Sequence, residues 1–119
     1  MSFYRGESFV SIDLTKENYK AAVAASASKP MVMDFWGPKC SYCLALMPSV
    51  DALENKYADK FNLCKVNVAS PGNRRVAMAF KVMSLPTLLF FKDGVEFARL
   101  VGPNTTAENV EERLKSIIG

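Results

Sequence analysis

The chain has 119 residues, of which 50% are apolar and 23% charged, with six glycines, six prolines and a formal net charge of +3. One domain of this length buries roughly two-thirds of its unfolded surface, and the composition excludes a disordered tail, a collagen-like fibre and a low-complexity linker. A charge this small and evenly spread points to neither nucleic acid nor an anionic membrane, and no apolar run approaches the roughly 18 residues of a membrane span.

In chain order, Phe9 to Asp13 reads as a short strand. Thr15 is positioned to cap a helix that carries Tyr19, Ala22 and Val23 on one side, and Pro30 ends that segment. Within it, Ala25-Ser26-Ala27 has the small-residue pattern of a signal-peptidase site. The apolar stretch that must precede such a site is broken by Lys16, Glu17, Asn18 and Lys20, so no secretory signal is expected and a cytoplasmic location is. Met31 to Trp36 is nearly continuous apolar sequence, the mark of a central strand covered on both faces. After Gly37-Pro38, the stretch Ser41 to Tyr57 is helical in pattern, with Leu46, Val50, Leu53 and Tyr57 three or four apart and Pro48 expected to kink it.

Phe61 to Val68 alternates as a strand and is followed by the turn signal Ser70-Pro71-Gly72 and a short helix around Arg74 to Phe80. Thr87 to Lys92 and Val95 to Val101 form two strands joined at Asp93-Gly94, a hairpin signal. The last helix begins at Thr105 and Glu108, which have capping-box spacing, and carries Val110, Leu114, Ile117 and Ile118 on one face. The order β-α-β-α-β-α-β-β-α predicts an α/β fold over residues 1–119. Its central mixed five-stranded sheet is parallel at first, ends in an antiparallel hairpin, and is flanked on both faces by about four helices. No internal repeat or linker interrupts it.

There is no histidine, so histidine triads, proton shuttles and metal sites are excluded; proton transfer must use carboxylate, lysine, tyrosine, thiol or water. The sharpest chemical feature is Cys40-Ser41-Tyr42-Cys43, just after a buried strand and at the start of a helix. Residues three apart there share a face at about 5–6 Å, inside the window a disulfide needs. The unpaired N–H groups and partial positive charge of the helix start favour a thiolate at Cys40, and Lys39 adds a positive charge beside it. Cys40 is then the nucleophile, and Cys43, one turn in and more buried, resolves the mixed disulfide. A purely stabilising staple fails on magnitude, since so short a loop contributes only roughly 2 kcal/mol. A metal site would need two further ligands, and Cys64 alone remains. Cys64, alternating with Leu63 and Lys65 in a strand, reads as a core residue.

At these residues the sequence resembles the thioredoxin family, from about Phe9 to the C-terminus. Asp34-Phe35-Trp36 before the dithiol, Pro48 after it, Leu85-Pro86-Thr87, Lys92-Asp93-Gly94 and Gly102 all fall, in order, where that family has counterparts. The resemblance implies a thioredoxin-like fold and thiol–disulfide exchange on protein substrates. Asp34 interrupts an apolar strand, where a carboxyl titrates high. The family match makes it the proton acceptor for Cys43, with Lys65 facing it from the neighbouring strand. The resemblance also implies a cis Leu85–Pro86 bond beside the dithiol, exposing the Leu85 backbone to an extended substrate. Trp36, the only tryptophan, becomes a rim residue with Lys39, Ser41 and Tyr42. No bound cofactor is needed. Electrons are expected from NADPH through a flavin-containing thioredoxin reductase, to a monomer in the cytoplasm.

Four positions depart from the family pattern. Ser41-Tyr42 stands where Gly-Pro is usual, Lys39 where tryptophan is usual, and Ala69 where an aspartate is common. Loss of the proline and gain of Lys39 both favour the thiolate and thus a more oxidising couple, about 30 mV for each 1.4 kcal/mol, and Tyr42 makes the rim bulkier. A more oxidising disulfide donor or isomerase of the same fold therefore stays open, as does a non-catalytic binding module.

Overall fold

The computed structural model describes residues 11–119 together with the backbone of Tyr4–Arg5 and Ser8–Phe9. These two short strands, β1 (Tyr4–Arg5) and β2 (Ser8–Phe9), pair antiparallel with each other, apart from the main sheet. The strand expected over Phe9 to Asp13 is thus two pieces, β2 and β3 (Ile12–Asp13); Val10 between them lies outside the described residues. The main sheet has β4 (Met31–Trp36) at its centre, β5 (Asn62–Asn67) and then β3 on one side, and β6 (Thr87–Lys92) and then β7 (Val95–Val101) on the other. β3, β5 and β4 run parallel, whereas β6 and β7 are antiparallel to their neighbours.

The period-2 alternation of the central strands divides two apolar cores. Val32, Leu63, Leu88 and Phe90 face one way, towards Leu46, Val50 and Leu53 of α2 (Ser41–Lys56) and Val110, Leu114 and Ile117 of α4 (Ala107–Ile118). Met31, Met33, Phe35, Leu89 and Phe91 face the other way, towards Tyr19, Ala22 and Val23 of α1 (Tyr19–Ala25) and Val76 and Ala77 of α3 (Asn73–Ala79). The sheet is therefore covered on both faces, as the near-continuous apolar run of β4 predicts. Asp34 shares the α2–α4 face with Val32, because the two are separated by one residue.

β6 and β7 turn through Asp93 and Gly94, both with positive φ (57° and 82°), the backbone a type I′ hairpin requires. Pro48 lies inside α2 without ending it. Two caps differ from expectation. α1 starts at Tyr19, after a turn in which the Thr15 carbonyl accepts from Asn18 and Tyr19 N–H, so Thr15 is not its N-cap. α4 is capped by Thr106, whose hydroxyl accepts from Asn109 N–H, and not by Thr105. A single 3₁₀ turn over Gly102–Asn104 takes up the chain after β7 and rotates Thr105 into the core. Among the described residues no helix is long and apolar enough to cross a membrane.

Candidate functional site

β4 carries the chain to the end of the sheet and releases it at Gly37. A side chain there would press on Leu85, whose Cδ1 would lie 3.3 Å from an added Cβ, so glycine permits a tight passage between strand and helix. The Cys40 N–H then closes a turn onto the Gly37 carbonyl at 3.0 Å, and α2 begins.

Cys40 is the N-cap of α2: it has extended backbone geometry, and its sulfur accepts from Cys43 N–H at 3.2 Å. The two cysteines form a disulfide with Cα atoms 5.2 Å apart, as their spacing at a helix start predicts. They differ in access. Cys40 is half-buried, while Cys43 is 3% exposed. On reduction, the N–H groups and dipole of the helix start lie against the Cys40 sulfur, the environment that lowers a thiol's proton affinity.

On β4, the strand that leads to the dithiol, Asp34 is 4% exposed. Burial pushes its carboxyl up to about 7, helped by the negative charge of Asp51 and opposed by the Lys65 ammonium. Asp34 and Lys65 are cross-strand partners in register. The Lys65 ammonium, however, donates to Asp51 Oδ1 of α2 at 2.6 Å; it makes its ion pair across the layer and not with Asp34. Glu54, one turn further along α2, is also pushed up to about 7, by partial burial first and by Asp51 second. Cys64 is buried, and its thiol is pushed up to about 12 by burial and the Glu54 charge, the state of an inert core thiol.

The remaining expected site residues lie around the mouth. Lys39, Ser41 and Tyr42 are exposed, Trp36 is half-buried at the end of β4, and Leu85 is half-buried. The Leu85–Pro86 bond is cis, with Pro86 buried and its carbonyl accepting from Gly102 N–H at 2.9 Å. Tyr42 reaches across the mouth and donates its hydroxyl to the Thr105 carbonyl at 2.8 Å, which ties the dithiol helix to the loop before α4. From Leu85 a groove of about 560 Å³ runs along α3, lined by Val68, Arg74, Ala77, Met78, Val82 and Met83.

Sequence reasoning did not find Asp51, Glu54, the Thr105 partner of Tyr42 or the methionine-lined groove. Helical periodicity held a signal for the first two. Glu54, eleven residues after Cys43, falls within about 20° of it around the helix axis, and Asp51, eight residues after, within about 80°. The groove had none: Met78 and Met83 are apolar yet 75% and 92% exposed, which no periodicity announces.

A half-buried cysteine capping a helix and disulfide-bonded to a buried one at the third position, after a strand that carries a buried carboxyl, defines a protein of thiol–disulfide exchange. The model of the thioredoxin family matches residues 10–116. The chain is 33% identical over 106 residues to thioredoxin of Acetoanaerobium sticklandii, covering 89% of this chain and 98% of that one. It is 36% identical over 106 residues to thioredoxin 1 of Synechococcus elongatus, covering 87% and 96%. Its fold is similar to that of oxidized thioredoxin O2 from Arabidopsis thaliana, with a TM-score of 0.81, 25% identity, and 91% and 94% of the two chains covered. The chain belongs to the thioredoxin family and is a thiol–disulfide oxidoreductase.

Proposed function

We propose that the protein reduces disulfides in protein substrates. The observation that carries this is the unequal pair at the start of α2: an accessible Cys40 at the N-cap and a buried Cys43 three residues on. The Cys40 thiolate attacks one sulfur of a substrate disulfide, and the other sulfur leaves as a thiolate that takes a proton. Asp34 then accepts the proton of Cys43, directly or through water. The Cys43 thiolate attacks Cys40 Sγ and releases the second substrate thiol, so two electrons pass to the substrate and Cys40–Cys43 is left oxidised. A carboxyl titrating near 7 suits this step, since at neutral pH it is present both as acceptor and as donor.

The backbone at Leu85, ahead of β6, pairs with an extended substrate segment, and Pro86 holds that approach. Trp36, Lys39, Ser41 and Tyr42 form the rim, and the groove along α3 takes the neighbouring substrate side chains. Lys65 tunes Asp34 by its charge. No resident cofactor takes part. Electrons come from NADPH through a flavin-containing thioredoxin reductase, and the protein works as a monomer in a reducing, cytoplasmic setting, without nucleic acid or membrane.

The test is the reduction potential of Cys40–Cys43, read by equilibration in graded thiol–disulfide buffers and acid trapping. A strongly reducing value supports the reductant. A value well to the oxidising side assigns the protein to disulfide donation or isomerisation, which Ser41-Tyr42 and Lys39 favour. Two variants check the roles: Cys40→Ser is expected to abolish turnover and trap no substrate, whereas Cys43→Ser accumulates a mixed disulfide through Cys40. Retention of a partner by Cys40→Ser with unchanged affinity would identify a binding module.

A further inference from the structure

The Lys65 ammonium has three carboxylates within its range, Asp34, Asp51 and Glu54, and is bonded to Asp51. Asp34 is its partner in strand register, yet the 2.6 Å contact is to Asp51, whose side chain is 47% exposed while that of Lys65 is 10% exposed. Among the described residues the ion pair of Lys65 is with Asp51 and not with Asp34. We infer that Asp51 is a positioning residue for Asp34: by drawing the Lys65 ammonium across to α2, it keeps the buried carboxyl uncommitted and free to carry the proton of Cys43. The catalytic half of this inference rests on the proton role proposed for Asp34.

The surroundings leave few competitors. From β5 the charged group is Lys65, and from α2 the titratable groups are Cys43, Asp51 and Glu54. The other residues of this core, Leu88 of β6, Leu100 of β7 and Val110 and Leu114 of α4, are apolar. On α4, Glu111 is taken up by Lys56 and Tyr57. Lys65 is thus the cation that arbitrates between Asp34 and the α2 carboxylates. A lysine–carboxylate pair at contact distance lowers a buried carboxyl's proton affinity by about ten- to a thousandfold. Releasing Lys65 from Asp51 therefore changes Asp34 from a group that exchanges protons near neutrality into a mostly ionised, weaker base.

The experiment follows the Asp34 and Glu54 carboxyl resonances by NMR titration of the full-length protein, beside the pH profile of single-turnover reduction of a protein disulfide. Asp51→Ala is expected to lower the proton affinity of Asp34 about tenfold or more and to move the acid limb of the profile down with it. Asp51→Glu, which retains a partner for Lys65, is expected to restore both. In a Lys65→Met background the same Asp51→Ala change is expected to move Asp34 far less, because only the direct effect of the Asp51 charge remains. An unchanged Asp34 titration, a shift confined to Glu54, or equal shifts with and without Lys65 would each overturn the inference. If the Asp34 titration moves and the kinetic profile does not, the placement of Lys65 stands. In that case the proton role of Asp34, and with it any catalytic effect of Asp51, falls.

Discussion

Asp34 is a buried carboxyl whose proton is held more tightly in the folded chain than in the unfolded one, since its folded value lies near 7 against an ordinary 3.8. Between those two values the native state binds the extra proton, so this side chain lowers stability progressively as pH rises through that window, with the full penalty above it. Asp34→Asn, which mimics the protonated side chain, is therefore expected to stabilise the protein at pH 8 by up to about 4 kcal/mol and to change little at pH 4. Denaturant midpoints at the two pH values check this; an equal gain at both would remove ionisation as the cause. The same variant is expected to slow release from the mixed disulfide, the trade-off of a destabilising group kept at a reactive site. This residue was legible in sequence because one acid breaks an apolar strand. The ion pair of Lys65 was not, because its choice between Asp34 and Asp51 depends on how α2 crosses the sheet.

The helices show how local signals mislead by a residue. Thr105 and Thr106 are adjacent, and each is a good cap by type, but their roles differ. Thr106 has extended backbone geometry and bonds Asn109 N–H at 3.1 Å. Thr105 is fully buried, and its hydroxyl has no partner among the described residues. Thr106→Ala is expected to cost about 1 kcal/mol as a lost cap. Thr105→Val is expected to be neutral or stabilising, since it removes an unsatisfied buried hydroxyl at equal volume. Thermal or chemical denaturation of the pair orders them, and the reverse order would return the cap to Thr105. The element that serves function is α2, whose start holds the dithiol while its buried face of Leu46, Val50 and Leu53 anchors it to the sheet.

In the assembled molecule the sheet is a wall between two cores, and the site lies where β4 and β6 meet the α2 side of it. Leu114 of α4 is fully buried against Val32, Leu88 and Val50. Leu114→Ala is expected to destabilise by about 2–5 kcal/mol through lost burial and the cavity left behind. That loss is expected to leave the reduction potential of Cys40–Cys43 unchanged as long as the chain is folded, because the change removes no charge and no hydrogen bond. A potential that moved with it would instead tie the dithiol chemistry to the packing of that core.

The primary structure determined what repeats at short range. The strands at Met31–Trp36, Thr87–Lys92 and Val95–Val101 and the helix from Ser41 stand where periodicity, Gly-Pro, Asp-Gly and the Cys-x-x-Cys spacing put them, since burial on two faces, turn chemistry and helix-start geometry act over a few residues. Cys40, Cys43, Asp34 and Pro86 follow from those elements and from the family resemblance. Tertiary structure alone decided three things: the pairing of Lys65 with Asp51, the hydrogen bond from Tyr42 to Thr105, and the groove between Leu85 and α3. Each joins elements far apart in the chain, where crossing geometry and layer spacing govern contact and no pattern along the sequence encodes them.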